Sequence, residues 1–291
     1  MLSKEQFRLQ FLVLLWGFTG LFGKLVTISA LPMVWFRMSI AAIAIYIFLK
    51  WKKESIKVSK KHGLQLLGIG GIVALHWYMF YLSIKTSNVS IALSTLSLCA
   101  LFSSIIEPIF FRRKVNISEV VLALIVSGCV MWIFNASPEY KLGIIYGVIC
   151  SFLSALFSVL NSALKDEVKS YHITLYEMIG GFITITIIML VFQLDAFQEV
   201  IHVGWSNLLW LMLLGVVFTA FAQIEAVNLF QYFTPYTILL NINLEPIYGI
   251  ILASLVFGES EHMNPIFYIA TAIMILSILV NGIIKNRLKI K

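Results

Sequence analysis

Charged residues are scarce in this chain. Of its 291 residues, only 12% are Asp, Glu, Lys or Arg, whereas 60% are hydrophobic and the mean hydropathy is +0.95. A soluble domain of ordinary composition is roughly one quarter charged and about one half apolar. The composition therefore excludes a soluble globular protein, and it leaves no room for a soluble domain beside the apolar segments.

Cysteines and enzyme motifs are also scarce. The three cysteines, Cys99, Cys129 and Cys150, stand alone inside apolar segments without disulfide or metal-ligand spacing, so we interpret them as small packing residues. The sequence has no Gly-x-Ser-x-Gly, no His-Glu-x-x-His and no phosphate-binding Gly-Lys-Ser/Thr motif. We therefore predict a protein that is not an enzyme, uses no metal or cofactor, and does not hydrolyse ATP by itself.

Long apolar runs are abundant. A helix needs about 20 apolar residues to cross roughly 30 Å of hydrocarbon. Lipid excludes open sheets, and continuous apolar runs exclude the alternating strands of a membrane barrel. We predict ten transmembrane helices, at 7–28, 32–51, 63–84, 88–110, 118–135, 142–164, 172–194, 205–228, 235–257 and 264–284. The first segment lacks a signal-peptide cleavage site, so we expect it to be retained.

The ten segments divide into two similar groups of five. We predict a first repeat over residues 1–137 and a second over 138–291, separated by the turn that contains Pro138. Short matches relate the repeats: residues 35–38 to 175–178, and 71–73 to 215–217. A five-helix unit repeated head to tail must insert the second time upside down, which is the architecture of many secondary transporters. The predicted fold class is an all-α membrane protein of ten transmembrane helices in two inverted five-helix repeats.

The basic residues are distributed unevenly between the predicted loops. The net charge of +7 is a topology signal and not evidence for nucleic acid. With the N-terminus in the cytoplasm, most basic residues fall on that side: Lys4, Arg8, the lysines between 50 and 61, Arg112, Arg113, Lys114, Lys165, Lys169, Lys285, Arg287, Lys289 and Lys291. The external loops carry Glu139, Asp195, Glu199, Glu259 and Glu261. This bias predicts a multi-pass plasma-membrane protein, expected in a bacterial inner membrane, with both termini cytoplasmic.

Several motifs resemble the EamA family of the drug/metabolite transporter superfamily over nearly the whole chain. They are Trp16-Gly17 followed by Gly20, Gly23 and Lys24; Phe36-Arg37 followed by Ala41-Ala42; the stretch 81–92; and Glu245-Pro246 through Gly258-Glu259. The first half departs from the pattern, because Ala100-Leu101 replaces a helix-4 proline and Arg112-Arg113-Lys114 stands near the expected Gly-Glu. The resemblance implies a ten-helix transporter of small metabolites, commonly an exporter, without fixing the substrate.

Ionisable residues inside the apolar segments are the main candidates for function. Each costs on the order of 3 kcal/mol near a helix centre, so its presence needs a reason. Glu245 is predicted near the bilayer midplane, next to Pro246, with Asn241 and Tyr248 on the same helix face. We predict Glu245 as a substrate or proton site, and a protonated Glu in a helix contact is the alternative. Glu225 lies near the inner end of its segment, where interfacial ion pairing is an equal alternative.

The other candidates lie on four different segments. Lys24 and Arg37 are predicted to form a positive outer half-cavity, with snorkelling towards the surface as the alternative. In the second repeat, Glu177 takes the position that matches Arg37, so the equivalent positions carry opposite charge. His76 is a candidate proton carrier and Trp77 a candidate stacking surface for a substrate, with core packing as the alternative for both.

The predicted function is secondary transport by alternating access. We expect export of amino-acid-like or other polar or amphipathic small molecules, with protons or a counter-substrate as candidate coupling partners. The expected surroundings are the lipid bilayer; no nucleic acid is involved, and a homodimer is left open. A non-transporting scaffold or receptor, or an intramembrane enzyme, is the alternative. A channel is disfavoured because no filter sequence is present.

Overall fold

The structure of the chain, a computed structural model, describes residues 3–114, 117–242 and 244–289. Lys291 of the predicted basic tail lies outside the described residues, and so do the side chains of Lys285, Arg287 and Lys289. Throughout the described ranges, all regular secondary structure is helical. The all-α part of the predicted fold is therefore confirmed for that part of the chain.

Each predicted segment overlaps one long helical stretch. These are α1 (Lys4–Leu25), α2 (Ala30–Trp51), α3 (Lys60–Thr86), α4 (Val89–Phe111, with a turn at Ser97), α5 (Ile117–Ala136), α6 (Lys141–Leu164), α7 (Ser170–Phe192), α8 (Trp205–Leu229), α9 (two pieces, Pro235–Ile242 and Glu245–Phe257) and α10 (Pro265–Lys289). Short helical turns lie at Pro138–Tyr140, Ala196–Ile201 and Gly258–Glu261.

Among the described residues, seven helices are long and apolar enough to cross a membrane: α2, α3, α4, α6, α7, α8 and α9. Polar residues such as Arg8 and Gln10 lower the hydropathy of α1. In α5 and α10 the apolar stretches are shorter, at Leu124–Ala136 and Pro265–Ser277. The chain is a multi-pass helical membrane protein, and the count of ten spans stays a prediction.

Helices of the two halves pack in matching ways. In the first half, α3 packs against α6 and α7; in the second half, α8 packs against α1 and α2. The pairs α2–α7, α4–α9 and α5–α10 each join equivalent helices. This exchange of partners is expected when a two-fold axis in the membrane plane relates the halves. Two close contacts agree with it: Gly70 of α3 lies against the backbone of Glu177, and Gly215 of α8 lies near the Arg37 carbonyl.

The helix bundle has two ends, which we name by the direction of α1. We call the end where α1 begins the N-terminal face, and the end where α1 finishes the opposite face. At the N-terminal face, Arg8 of α1 forms an ion pair with Glu225 of α8, with a nitrogen–oxygen distance of 2.5 Å. The Lys165 ammonium at the same face donates a hydrogen bond to the Phe230 carbonyl at 2.9 Å. The predicted basic loops lie at this face.

At the opposite face, Glu261 caps the start of α4. Its carboxylate accepts hydrogen bonds from the backbone N–H of Val89 at 3.3 Å and of Ser90 at 3.0 Å, and from the Ser90 hydroxyl at 2.9 Å. The Lys24 ammonium lies 2.9 Å from the same carboxylate. Glu261 lies in the connection between α9 and α10, where a loop is predicted, but its side chain is 0% exposed because it satisfies the free N–H groups of a helix start.

At the N-terminal face, the start of α9 is capped in the same way by α4. Glu107, near the end of α4, accepts a hydrogen bond from the Tyr236 backbone N–H at 2.9 Å. The Arg113 Nε lies 3.3 Å from the other oxygen of this carboxylate. Each of the two equivalent helices α4 and α9 thus begins on a glutamate supplied by the other, and each glutamate has its own cation.

We expect Glu261→Gln to lower stability. The amide keeps the shape, but its NH2 group cannot accept from the α4 backbone, and the charge opposite Lys24 is lost. A buried hydrogen bond to a charged group contributes about 1.5–3 kcal/mol, so a loss of about 2 kcal/mol is expected. Thermal unfolding of the purified protein in detergent measures it. Glu259→Gln, an exposed change in the same turn, is the control and should have no effect; equal melting of both variants would contradict the capping role.

Candidate functional site

A cavity of about 70 Å³ lies in the centre of the bundle. Residues from α1, α2, α3, α4, α6, α8 and α9 line it; among the described residues, α5, α7 and α10 contribute none to the lining. Its polar lining consists of Thr19, Arg37, His76, Ser154, Ser158, Gln223 and Glu245, and its aromatic lining of Trp16, Trp77, Phe80, Phe157 and Phe230. The cavity therefore combines a guanidinium group and a carboxyl group with an aromatic wall.

Arg37 of α2 provides the positive charge of the cavity. Its side chain is 3% exposed; Nε donates to the Thr219 hydroxyl at 2.7 Å and Nη1 to the Tyr81 hydroxyl at 2.6 Å. The guanidinium carbon lies 3.8 Å from the centre of the Trp77 ring, a close cation–π contact. Among the described residues, no carboxylate lies within salt-bridge distance of Arg37. The cation is held by neutral partners and can still bind an anionic group.

A widened, π-helical turn in α8 positions Thr219, one of the hydrogen-bond partners of Arg37. Residues Val216–Phe221 form a π-helical turn, and the Thr219 hydroxyl donates to the Leu214 carbonyl five residues back, at 2.7 Å. Just before this turn, Gly215 packs so closely on Ile40 that a Cβ would lie 2.6 Å from its Cγ2. Single π-helical turns are frequent at functional sites because they reorient a side chain without breaking the helix. Here the turn presents Thr219 to Arg37.

Glu245 of α9 provides the carboxyl group of the cavity. It is 4% exposed, and among the described residues no donor forms a hydrogen bond with its carboxyl group. The Arg37 charge acts on it across the cavity. The prediction that Pro246 interrupts a continuous helix is corrected: α9 is broken just before Glu245, so Pro246 lies in the first turn of the second piece, where its missing N–H costs nothing.

His76 and Trp77 of α3 both line the cavity. His76 is buried, and its Nδ1 lies 2.9 Å from the Cys150 carbonyl oxygen. A carbonyl oxygen can only accept, so Nδ1 carries the proton of the neutral ring and Nε2 is the free acceptor. The Trp77 ring is covered on one side by Arg37.

The remaining predicted site residues lie outside the lining of the cavity. Lys24 is at the opposite face, bound to Glu261 and to the Ser260 hydroxyl at 2.6 Å, so the structure separates it from Arg37. Glu225 pairs with Arg8 at the N-terminal face. These contacts agree with the alternatives given from the sequence, which were a position towards the surface for Lys24 and interfacial ion pairing for Glu225.

Asn241 and Tyr248 lie close to Glu245 in the sequence but outside the lining of the cavity, and the break in α9 separates Asn241 from Glu245. Asn241 accepts a hydrogen bond from the Gln10 side chain at 2.7 Å, on the N-terminal side of the cavity. Tyr248 packs against Gly17 of α1, where a Cβ would lie 2.9 Å from the tyrosine Cβ. Neither Asn241 nor Tyr248 is among the residues that line the cavity beside Glu245. Glu177 is fully buried in α7, next to Asn161 and Gln223.

Three polar residues at or beside the cavity were missed by reasoning from ionisable residues alone. Tyr81 follows Trp77 by one helical turn, a spacing that indicated the same face. Gln223 follows Thr219 by one turn of α8, and Thr219 follows by one turn the glycine, Gly215, that the sequence aligns with Gly71. A search for polar residues one turn from the charged candidates would have found Tyr81, whereas the role of Thr219 depends on the π-helical turn.

Together, the helices and the central cavity define a multi-pass helical membrane protein with two similar halves around a polar centre. The sequence profile of the EamA-like transporter family matches residues 9–135 and again residues 141–283. These matches cover most of the chain, so the chain belongs to the EamA-like transporter family. The predicted family is thereby confirmed.

The fold has a known counterpart among solved structures. One crystal structure is similar over 97% of this chain and 98% of its own chain, with a TM-score of 0.71 and 14% sequence identity. At that identity the likeness shows the fold alone. A search of curated proteins gave no match.

Proposed function

We propose that the protein is a secondary transporter that exports small zwitterionic solutes of the amino-acid type by alternating access. The observation that carries the proposal is that Arg37 and Glu245 face one cavity and that neither has an oppositely charged partner within salt-bridge distance in the described part of the chain. Family membership and the two-repeat architecture support transport as the activity.

The two charges favour a solute that carries both an anion and a cation. A guanidinium binds a carboxylate through two parallel hydrogen bonds, which would orient the solute on Arg37. Its ammonium group would then lie towards Glu245. A solute with only one of these charges leaves the other protein group buried without a partner, and that costs binding free energy. The aromatic side chains of Trp16, Phe80 and Phe157 would contact the apolar part of the solute.

The lining residues indicate at which face the cavity exchanges solute in this conformation, and the direction of export rests on the family resemblance. From Arg37 and Glu245 the lining continues towards the N-terminal face, to Phe230 after α8 and Ile238 in the first piece of α9. At the opposite face, Glu261 joins the end of α1, through Lys24, to the start of α4, through Ser90. With ten spans in two inverted repeats and both termini in the cytoplasm of a bacterial cell, this cavity would take up its solute from the cytoplasm.

Solute flux tests the proposed function. Metabolite profiling of cells with and without the protein comes first, and then efflux from proteoliposomes loaded with leucine, with N-acetylleucine, which lacks the ammonium group, or with leucinamide, which lacks the carboxylate. Protein-free liposomes give the background. We expect leucine efflux to be about tenfold faster than that of either analogue, corresponding to about 1.4 kcal/mol. No flux of any solute would favour a scaffold or receptor, and equal flux of all three would contradict the paired-charge site.

Cysteine labelling tests the proposed orientation. The native cysteines Cys99, Cys129 and Cys150 are buried and can be removed. We expect Glu139→Cys to react with a membrane-impermeant thiol reagent in intact cells, because the exposed Glu139 lies at the opposite face. Lys57→Cys, exposed at the N-terminal face, should react only after the membrane is opened. Labelling of Lys57→Cys in intact cells would overturn the orientation.

A further inference from the structure

A second polar cluster lies outside the lining formed by Arg37 and Glu245, between α6, α7 and α8. Glu177 and Asn161 are both 0% exposed, and Gln223 is 5% exposed. Within the described residues, no hydrogen bond of good geometry reaches either carboxyl oxygen of Glu177 or either polar atom of the Asn161 amide, although Asn161 and Gln223 lie close enough to act on the carboxyl group. Buried polar groups in folded proteins are nearly always satisfied, so four unpaired atoms at one place mark a site that something else completes.

The backbone at Glu177 is held in place by close packing against α3. Gly70 of α3 lies so close that a Cβ there would be 2.1 Å from the Glu177 carbonyl oxygen, so this part of α7 has no freedom to move towards α3. Asn161 and Gln223 are the polar neighbours of the carboxyl group. Gln223 also lines the central cavity, so it connects the cluster to the solute site.

No cation neutralises Glu177 in the described part of the chain. The charged and titratable groups on the helices around it are engaged elsewhere: Arg37 with Thr219 and Tyr81, His76 with the Cys150 carbonyl, Lys165 with the Phe230 carbonyl, and Glu225 with Arg8. An isolated carboxylate without partners is costly to bury, whereas a protonated carboxyl group is a neutral hydrogen-bond donor and acceptor. A proton is therefore the ligand that fits this site.

We propose that Glu177 is the proton-carrying residue of the transporter, at a site separate from the solute pair Arg37 and Glu245. Its carboxylate takes up one proton to form the neutral acid and releases the same proton in another step of the cycle, so no further reactant is needed. Asn161 and Gln223 orient the acid, and Gln223 connects it to the cavity. A solute does not fit this role, because Glu177 is not among the residues that line the central cavity. This inference rests on the proposed transport function.

The first experiment needs no solute. Infrared difference spectra of the full-length protein between about pH 6 and about pH 10 contain the carbonyl stretch only of carboxyl groups still protonated at about pH 6, where ordinary Asp and Glu side chains are already ionised. In the wild type we expect a band from Glu177 that is lost in Glu177→Gln and displaced in Glu177→Asp, whereas a band from the buried carboxyl group of Glu245 would persist in both variants. Glu139→Gln, which removes an exposed carboxyl group, is the control and keeps the Glu177 band. Spectra that neither Glu177 variant changes would overturn the proposal, and the Asp variant gives the answer if the Gln variant fails to fold.

The second experiment separates coupling from solute binding. In proteoliposomes, Glu177→Gln should exchange leucine for leucine near the wild-type rate, because exchange moves no net protons. Leucine accumulation driven by an imposed pH difference should be lost in this variant and kept in Glu139→Gln. If Glu177→Gln retains accumulation, the proposal is wrong although the transport function stands. If the wild type itself exchanges no leucine, the proposed solute is wrong, and the infrared result still decides the role of Glu177.

Discussion

Glu245→Gln should slow leucine transport by about tenfold or more, the factor that about 1.4 kcal/mol represents. Glutamine keeps the shape and the hydrogen-bonding groups of the side chain but removes the negative charge that would face the solute ammonium group. Membrane insertion should be normal, because the change replaces one polar buried group by another of the same size. Leucine exchange in proteoliposomes and the amount of protein in the membrane are the two measurements.

The charge of the solute provides the internal control for this variant. N-acetylleucine has no ammonium group, so its slow flux should change less than that of leucine. Glu259→Gln, an exposed change near the end of the same helix, should leave leucine exchange unaltered. If Glu245→Gln transports leucine at the wild-type rate while Glu245→Leu unfolds, Glu245 is a structural hydrogen-bonding residue and the proposed solute site is wrong.

Gly70→Ala should destabilise the protein more than any surface change. The added Cβ would lie 2.1 Å from the Glu177 carbonyl oxygen and 2.7 Å from its Cα. These atoms belong to the backbone and cannot rotate away, so α3 and α7 must separate. Overpacking costs about 1–3 kcal/mol and occasionally more, and a backbone obstacle places this variant at the upper end. Thermal unfolding in detergent, followed by size-exclusion chromatography, measures the loss.

A glycine two residues away makes the matching control. A Cβ added at Gly68 would meet nothing within 4 Å. Alanine stabilises a helix interior by about 0.5–1 kcal/mol relative to glycine, so Gly68→Ala should be neutral or slightly stabilising. If both variants melt at the same temperature, α3 and α7 do not approach each other as closely as described.

The helices could be predicted from the sequence because lipid imposes one requirement on every segment. A run of about 20 apolar residues has no alternative to a helix in hydrocarbon, and each predicted segment overlaps one helical stretch. The short matches between the halves located Arg37 and Glu177 at equivalent positions. Gly215 lies near the residue 37 carbonyl and Gly70 lies on residue 177, so these contacts make Gly215 equivalent to Gly70, one residue from the predicted match to Gly71.

The candidate site was predicted less completely, for physical reasons. Arg37, His76, Trp77 and Glu245 line the cavity, as expected for costly polar groups that avoid lipid. Asn241 and Tyr248 do not, because Asn241 lies before the break in α9 and Tyr248 packs against Gly17 of α1. The partner of Lys24 lies 237 residues away in Glu261. No local pattern distinguishes a glutamate that caps a distant helix from one in a loop.

The crossed capping of α4 and α9 makes the two halves dependent on each other. The α4 helix of the first half begins on Glu261 from the second half, and α9 begins on Glu107 from the first. Neither half therefore carries all the groups that its own helix starts require. A substitution at either glutamate therefore affects a helix of the other half. A single polypeptide keeps the two complementary halves in a ratio of one to one.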